Sequence, residues 1–93
     1  MRSILQIGRR CFMCGSPQWL ELHHIFNAHN KKNSERYGLV VYLCHYCHNE
    51  PPNGVHHNKD NRLALQRTAQ SAAMKRYGWS EDDFREIFHK NYL

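Results

Sequence analysis

The sequence has no apolar run that approaches the roughly 20 residues needed to span a bilayer, and it has no internal repeat or low-complexity tract. Its first ten residues are too short and too interrupted to form the apolar core of a signal peptide. These absences predict a globular chain in the cytoplasm. With 93 residues the chain fits a leader, residues 1–10, and one domain, residues 11–93.

Acidic residues are the scarcer charged class, with 8 Asp and Glu against 13 Lys and Arg and a formal net charge of +5. Such a surplus favours a polyanionic partner, because basic side chains release counterions when they bind phosphates. Small basic domains also carry a surplus of this size for solubility. The charge alone therefore leaves nucleic-acid binding and simple solubility both open.

Cysteine is limited to four residues, which form two Cys-x-x-Cys pairs at positions 11/14 and 44/47. In a reducing cytoplasm such pairs are typical of metal ligands rather than disulfides. Four thiolates complete a tetrahedral zinc site without a vacant position, so this zinc would be structural. An alternative gives one of the four positions to His45 or His48.

Two short segments show the pattern of β-strands. Apolar side chains alternate between Trp19 and Phe26, and Leu39–Leu43 is short and β-branched. We expect these strands to pair antiparallel. Residues 27–38 are polar and lack periodicity, which predicts a loop between them.

Two helices are predicted after the second cysteine pair. Small apolar residues recur at helical spacing from about Asp60 to Tyr77, and Gly78 ends the pattern. A last helix over about residues 80–91 is indicated by Ser80 and Asp83, which are spaced as reciprocal caps. The sequence therefore predicts a small α+β fold, with a core over about residues 11–77 and additional C-terminal helices.

Histidine is plentiful, with eight residues in the chain. If one zinc clamps both cysteine pairs together, five histidines can converge beside it: His23, His24, His48, His56 and His57. Imidazole is a common metal ligand and a suitable base near neutral pH, so a second, open metal site is expected. Four histidines are expected at surface or packing positions rather than as metal ligands: His29, His45, His57 and His89.

His23 and His24 raise a geometric question, since adjacent side chains on a strand face opposite ways. Different roles for the two residues would answer this question. One imidazole would then hold a metal while the other activates water.

The segments Cys11-x-x-Cys14, Leu22-His23-His24-Ile25 and Leu43-Cys44-x-x-Cys47-His48 resemble the zinc-containing form of the HNH endonuclease family, over about residues 11–60. Residues 23–27, 34–39 and 53–56 are also similar to phage-borne HNH proteins, including those related to recombination-enhancing nucleases that depend on a recombinase. The resemblance implies a ββα-metal core, also called a His-Me finger, with a structural Cys₄ zinc.

The same resemblance implies roles for individual histidines. His24 would be the general base, His23 and His48 would bind a catalytic divalent ion, and His56 would be a further ligand. The ion would be Mg²⁺, Mn²⁺, Ni²⁺ or Zn²⁺, and an all-imidazole site favours the transition metals. The middle asparagine of the family falls near Leu39 and is missing. We expect Tyr37, Asn33 or a backbone carbonyl to orient His24 instead.

The implied partner is DNA, with a recombinase filament or another phage or host protein as an additional partner. If a phage encodes the chain, the compartment would be the host cytoplasm. Five basic side chains are candidate phosphate contacts: Lys31, Lys32, Arg36, Arg62 and Arg67. Two rival functions remain open. One is a non-catalytic zinc ribbon that binds DNA or protein, and the other is a metal-dependent RNase or junction enzyme.

Overall fold

Two antiparallel strands and several helices make up a small α+β structure in the computed structural model, which describes residues 2–93. A 3-10 turn at Ala28–Asn30 precedes the first helix. The elements in chain order are β1 (Leu20–His24), α1 (Lys31–Arg36), β2 (Val40–Cys44), α2 (His45–Asn49), α3 (Lys59–Tyr77) and α4 (Glu81–Phe88).

The sheet confirms both predicted strands and their antiparallel pairing. Leu20 lies opposite Cys44, and His24 lies opposite Val40. The first cysteine pair is held beside this sheet, because the backbone N–H of Phe12 donates to the Tyr42 carbonyl at 2.8 Å. The register thus places the start of β1, the end of β2 and both cysteine pairs at one end of the sheet.

The loop predicted over residues 27–38 is wrong, since this segment contains the 3-10 turn and α1. Hydrogen bonds from polar side chains hold residues 27–38 in this conformation. The buried Ser34 hydroxyl donates to the Phe26 carbonyl at 2.6 Å and accepts from the Phe26 N–H at 3.1 Å. Asn33 donates from its side chain to the Ile87 carbonyl at 3.2 Å. Hydrophobic periodicity cannot detect a helix that is anchored through polar side chains.

Both predicted helices are confirmed, and α4 is shorter than predicted. Helix α3 begins at Lys59 behind an Asn58 cap and ends at Gly78, whose φ of +69° is left-handed. Helix α4 has the expected capping box between Ser80 and Asp83, but it ends at Phe88. Within residues 2–93, none of the helices has both the length and the apolar character to cross a bilayer.

The core lies between the sheet, α3 and α4. Phe26 contacts Phe84 and Phe88 through its ring, with centroids 5.3 and 4.9 Å away. Leu65 and Ala69 are buried on the facing side of α3. The start of β1, which lies away from Phe26, and helix α2 are thus free to carry polar side chains.

Candidate metal centres

Four thiols converge where the two cysteine pairs meet. The sulfurs of Cys11, Cys14, Cys44 and Cys47 all lie within 4.8 Å of one another, and none is in a disulfide. The Cys14 and Cys44 Sγ atoms are 3.7 Å apart. Sulfurs around a tetrahedral zinc with Zn–S bonds of about 2.3 Å are about 3.8 Å apart. The cluster therefore suits a structural metal such as zinc.

Backbone hydrogen bonds favour the thiolate form of Cys11, whereas burial and neighbouring thiols oppose it at Cys47. The N–H groups of Cys14 and Cys47 donate to the sulfurs of Cys11 and Cys44, both at 3.4 Å. Burial opposes ionisation of Cys11, but backbone hydrogen bonds from Cys44, Cys14 and Met13 outweigh it and lower its pKa to about 6. Burial and the neighbouring thiols raise the pKa of Cys47. Four ionised sulfurs this close need a bound metal ion.

A second cluster consists of three imidazoles. His23 comes from β1, His48 from α2 and His56 from the turn before α3, and one nitrogen from each lies within 4.8 Å of the others. The Nε2 atoms of His48 and His56 are 2.9 Å apart. Nitrogens bound side by side on a transition metal at about 2.1 Å are about 3 Å apart. The structure thus brings together the three residues that the resemblance singled out, and this group could hold a metal ion.

The turn that follows α2 places His56 against His48. The N–H of Val55 donates to the Cys47 carbonyl at 2.9 Å, and the N–H of His56 donates to the His48 carbonyl at 3.2 Å. Gly54 permits this fold-back, because a Cβ there would lie 2.7 Å from the backbone of Glu50. The chain therefore returns along α2 and presents His56 beside it.

Burial keeps His23 in the neutral form that binds metals. The residue is 5% exposed, and this burial, with smaller contributions from His48 and His56, lowers the pKa of His23 to about 3. Partial burial also lowers the pKa of His56. Neutral imidazoles retain the lone pair that a metal ion requires.

Glu21 orients the cluster, and the sequence analysis missed it. Its Oε1 atom accepts from His48 Nδ1 at 2.7 Å and from the Asn49 side chain at 3.1 Å, while Oε2 accepts from His45 Nδ1 at 3.0 Å. Hydrogen bonds from His48 and then His45 lower the pKa of Glu21. With its proton on Nδ1, His48 directs the lone pair of Nε2 toward His56. The available signal was the strand period, which places Glu21 on the same face of β1 as His23.

His24 contacts a different partner. Its Nε2 donates to Glu35 Oε1 at 2.8 Å, and its side chain is 13% exposed. The expectation that Tyr37, Asn33 or a backbone carbonyl would orient His24 is therefore wrong. Asn33 donates to Ile87, and the Tyr37 carbonyl accepts from the Tyr77 hydroxyl at 2.8 Å. Glu35 reaches His24 because residues 31–36 are helical rather than a loop.

The remaining predicted residues lie outside both clusters. His29, His45, His57 and His89 are exposed. His57 was one of the five histidines expected to converge, but it is not part of the imidazole cluster. Lys31, Lys32 and Arg36 are exposed on α1. On α3, Arg62 donates to the Val55 carbonyl at 3.1 Å and Arg67 to the Tyr92 carbonyl at 2.9 Å.

Comparison with protein-family models, curated proteins and solved structures finds no match to this chain. Any assignment of function therefore depends on the chemistry of the site itself.

Proposed function

We propose that this protein is a metal-dependent endonuclease of the HNH type that hydrolyses phosphodiester bonds in DNA, with a ββα-metal core. The observation that carries the proposal is the succession in β1 of His23, a member of the three-imidazole cluster, and His24, which is held by a carboxylate. A proton acceptor next to a metal-binding cluster is the arrangement that metal-assisted hydrolysis of a phosphodiester requires.

In this mechanism His24 removes a proton from the attacking water. Its Nε2 is engaged by Glu35, so Nδ1 is the nitrogen that takes the proton. The carboxylate of Glu35 holds the ring in one orientation and stabilises the imidazolium that forms. General-base help of this kind contributes about 10²–10⁴-fold in rate.

His23, His48 and His56 would hold the catalytic ion. A divalent ion held by these residues would supply stabilisation of negative charge on the phosphate and on the leaving 3′ oxygen. Burial of His23 excludes water from one side of the cluster, and Glu21 orients His48. The all-imidazole donor set favours Zn²⁺, Ni²⁺, Co²⁺ or Mn²⁺ over Mg²⁺.

The open edge of β1 supports access for a DNA strand. In the part of the chain that the structure describes, β1 pairs with β2 alone, so its other edge has no neighbouring strand. His23 and His24 project to opposite faces there, in agreement with their separate contacts. A phosphodiester that crosses this edge meets His24 from one side and the imidazole cluster from the other.

Cleavage of supercoiled plasmid DNA tests this function. The zinc-loaded protein is assayed with added Mg²⁺, Mn²⁺, Ni²⁺ or Zn²⁺, beside His24→Ala and a control, His57→Ala. We expect the wild type and His57→Ala to cut, and His24→Ala to cut about 100-fold more slowly or worse. Equal cutting by wild type and His24→Ala, or no cutting with any of these ions, contradicts the proposal.

The same assay examines the orientation of His24 with two substitutions of Glu35. Glu35→Gln keeps an oxygen that accepts from His24 Nε2, whereas Glu35→Ala removes it. We expect Glu35→Ala to lower kcat with little effect on KM, and Glu35→Gln to recover part of that loss. Identical kinetics for the two variants would argue against orientation by Glu35.

A further inference from the structure

A cleft separates the leader from the outer face of the sheet. Its volume is about 420 Å³. The leader contributes Arg2 and Arg9 to the lining, and the strands contribute Leu22, Val40 and Tyr42. We refer to this space, lined by Arg2, Arg9 and the strand residues, as the leader cleft.

The leader cleft is cationic. Its lining contains two arginines and no acidic residue. Among residues 2–93, neither Arg2 nor Arg9 forms an ion pair, and both are exposed. The guanidinium of Arg9 lies 5.1 Å from the centroid of the Tyr42 ring, a contact that orients the side chain without neutralising its charge.

Hydrogen bonds hold the chain between the two arginines against the sheet. The N–H of Ile4 donates to the Gly38 carbonyl, and the N–H of Tyr42 donates to the Gln6 side chain, both at 2.9 Å. Gly38 approaches so closely that a Cβ there would lie 2.8 Å from the Arg2 carbonyl oxygen. A held cation loses less conformational entropy on binding than one on a mobile tail.

The position of the cleft relates it to His24. Val40 is the cross-strand partner of His24, and Leu22 precedes His24 by two residues on the same face of β1. Both residues line the cleft. The cations of the leader therefore lie on the face of the sheet from which His24 would act.

We infer that the leader cleft binds the phosphate backbone of duplex DNA beside the bond that is cut, with Arg2 and Arg9 each contacting a phosphate. The inference rests on the proposed endonuclease function. Guanidinium groups suit phosphate because their paired N–H donors match its oxygens. Such contacts set the position of the duplex and do not read its sequence.

Salt-dependent binding tests the leader cleft without cleavage. A short fluorescent DNA duplex is titrated with the zinc-loaded full chain, without added divalent ion, over a series of salt concentrations. The slope of log K against log salt concentration is negative, and each phosphate contact adds about 0.9 to its magnitude. We expect Arg2→Gln/Arg9→Gln to reduce the slope by about 1.8 and to weaken binding.

Two matched variants separate the cleft from net charge. Arg2→Lys/Arg9→Lys keeps both charges and should retain most of the slope. Arg85→Gln/Lys90→Gln removes the same charge from residues that do not line the cleft, and it should retain the slope as well. Circular dichroism and zinc content check that each variant folds.

Three outcomes overturn the inference. They are an unchanged slope in Arg2→Gln/Arg9→Gln, an equal loss in Arg85→Gln/Lys90→Gln, and absence of duplex binding by the wild type. Tighter binding of an RNA duplex of equal length would overturn DNA as the occupant. Failure of the endonuclease proposal has a different signature, in which cleavage is absent while the leader variant still loses slope.

Discussion

Glu21 illustrates how one side chain organises a site at the residue scale. It accepts hydrogen bonds from His45, His48 and Asn49, and so links β1 to α2. His23 has a different cause for its neutral form, since burial is the largest contribution to its lowered pKa. His48 depends on Glu21 for the orientation of its ring. Carboxylate partners of this kind typically change metal affinity by about 10–100-fold.

Glu21→Gln should therefore weaken metal binding at the imidazole cluster by about 10–100-fold, because the charged acceptor for His48 Nδ1 is lost. The measurement is isothermal titration of Co²⁺ or Ni²⁺ into the zinc-loaded protein. Glu50→Gln is the matched control, since Glu50 also accepts from His45, at 2.8 Å, but does not contact the cluster. Equal losses in the two variants would contradict a specific role for Glu21.

At the scale of elements, short helix α1 depends on its neighbours. Six residues are too few for a stable isolated helix. The Asn30 side chain donates to the Phe88 carbonyl at 2.9 Å, and Asn33 donates to Ile87, so the end of α4 holds the first half of this helix. Helix α4 thereby supports Glu35 from a distance, although it contributes no residue to either cluster.

The turn between α1 and β2 gives a prediction at this scale. Gly38 and Gly78 both have left-handed φ values, +74° and +69°, but only Gly38 has close neighbours. Gly78→Ala should cost about 1 kcal/mol from backbone strain alone. Gly38→Ala should cost roughly 2–4 kcal/mol, since its methyl group also overlaps the Arg2 carbonyl and the Ile4 side chain. Urea unfolding of the zinc-loaded variants measures both losses, and equal values would exclude a tight contact with the leader.

For the whole molecule, the cysteine cluster joins distant parts of the chain. Cys11 and Cys44 belong to the hydrophobic core, and Cys14 meets Cys44 across 30 positions of sequence. Structural zinc supplies about 10 kcal/mol or more in small zinc domains, while a whole domain is typically stable by about 5–15 kcal/mol. A zinc ion held by this cluster would therefore contribute a stability of the same order as that of the entire fold.

Removal of zinc should abolish cooperative thermal unfolding. We expect one tightly held zinc per chain, and loss of the transition in circular dichroism after chelation. Cys14→Ser should reproduce this loss, because it removes one of the four sulfur ligands. The side chain is exposed, so the substitution leaves the core packing intact. Met13→Ser, an exposed neighbour in the same loop at 41% exposure, is the control and should unfold like the wild type. A stable, zinc-free wild type would contradict the structural role.

Local patterns in the amino-acid sequence were sufficient for both strands, the bounds of α3 and the grouping of the four cysteines, because backbone periodicity and ligand spacing are properties of neighbouring residues. Clamping the two cysteine pairs together predicted that five histidines could converge, and three of them, His23, His48 and His56, do so. Only the tertiary structure decided that Glu35 holds His24, that Glu21 holds His48 and that Arg2 and Arg9 face the sheet. The partner of a polar side chain depends on which elements pack together, and that packing is set by contacts between residues far apart in the chain.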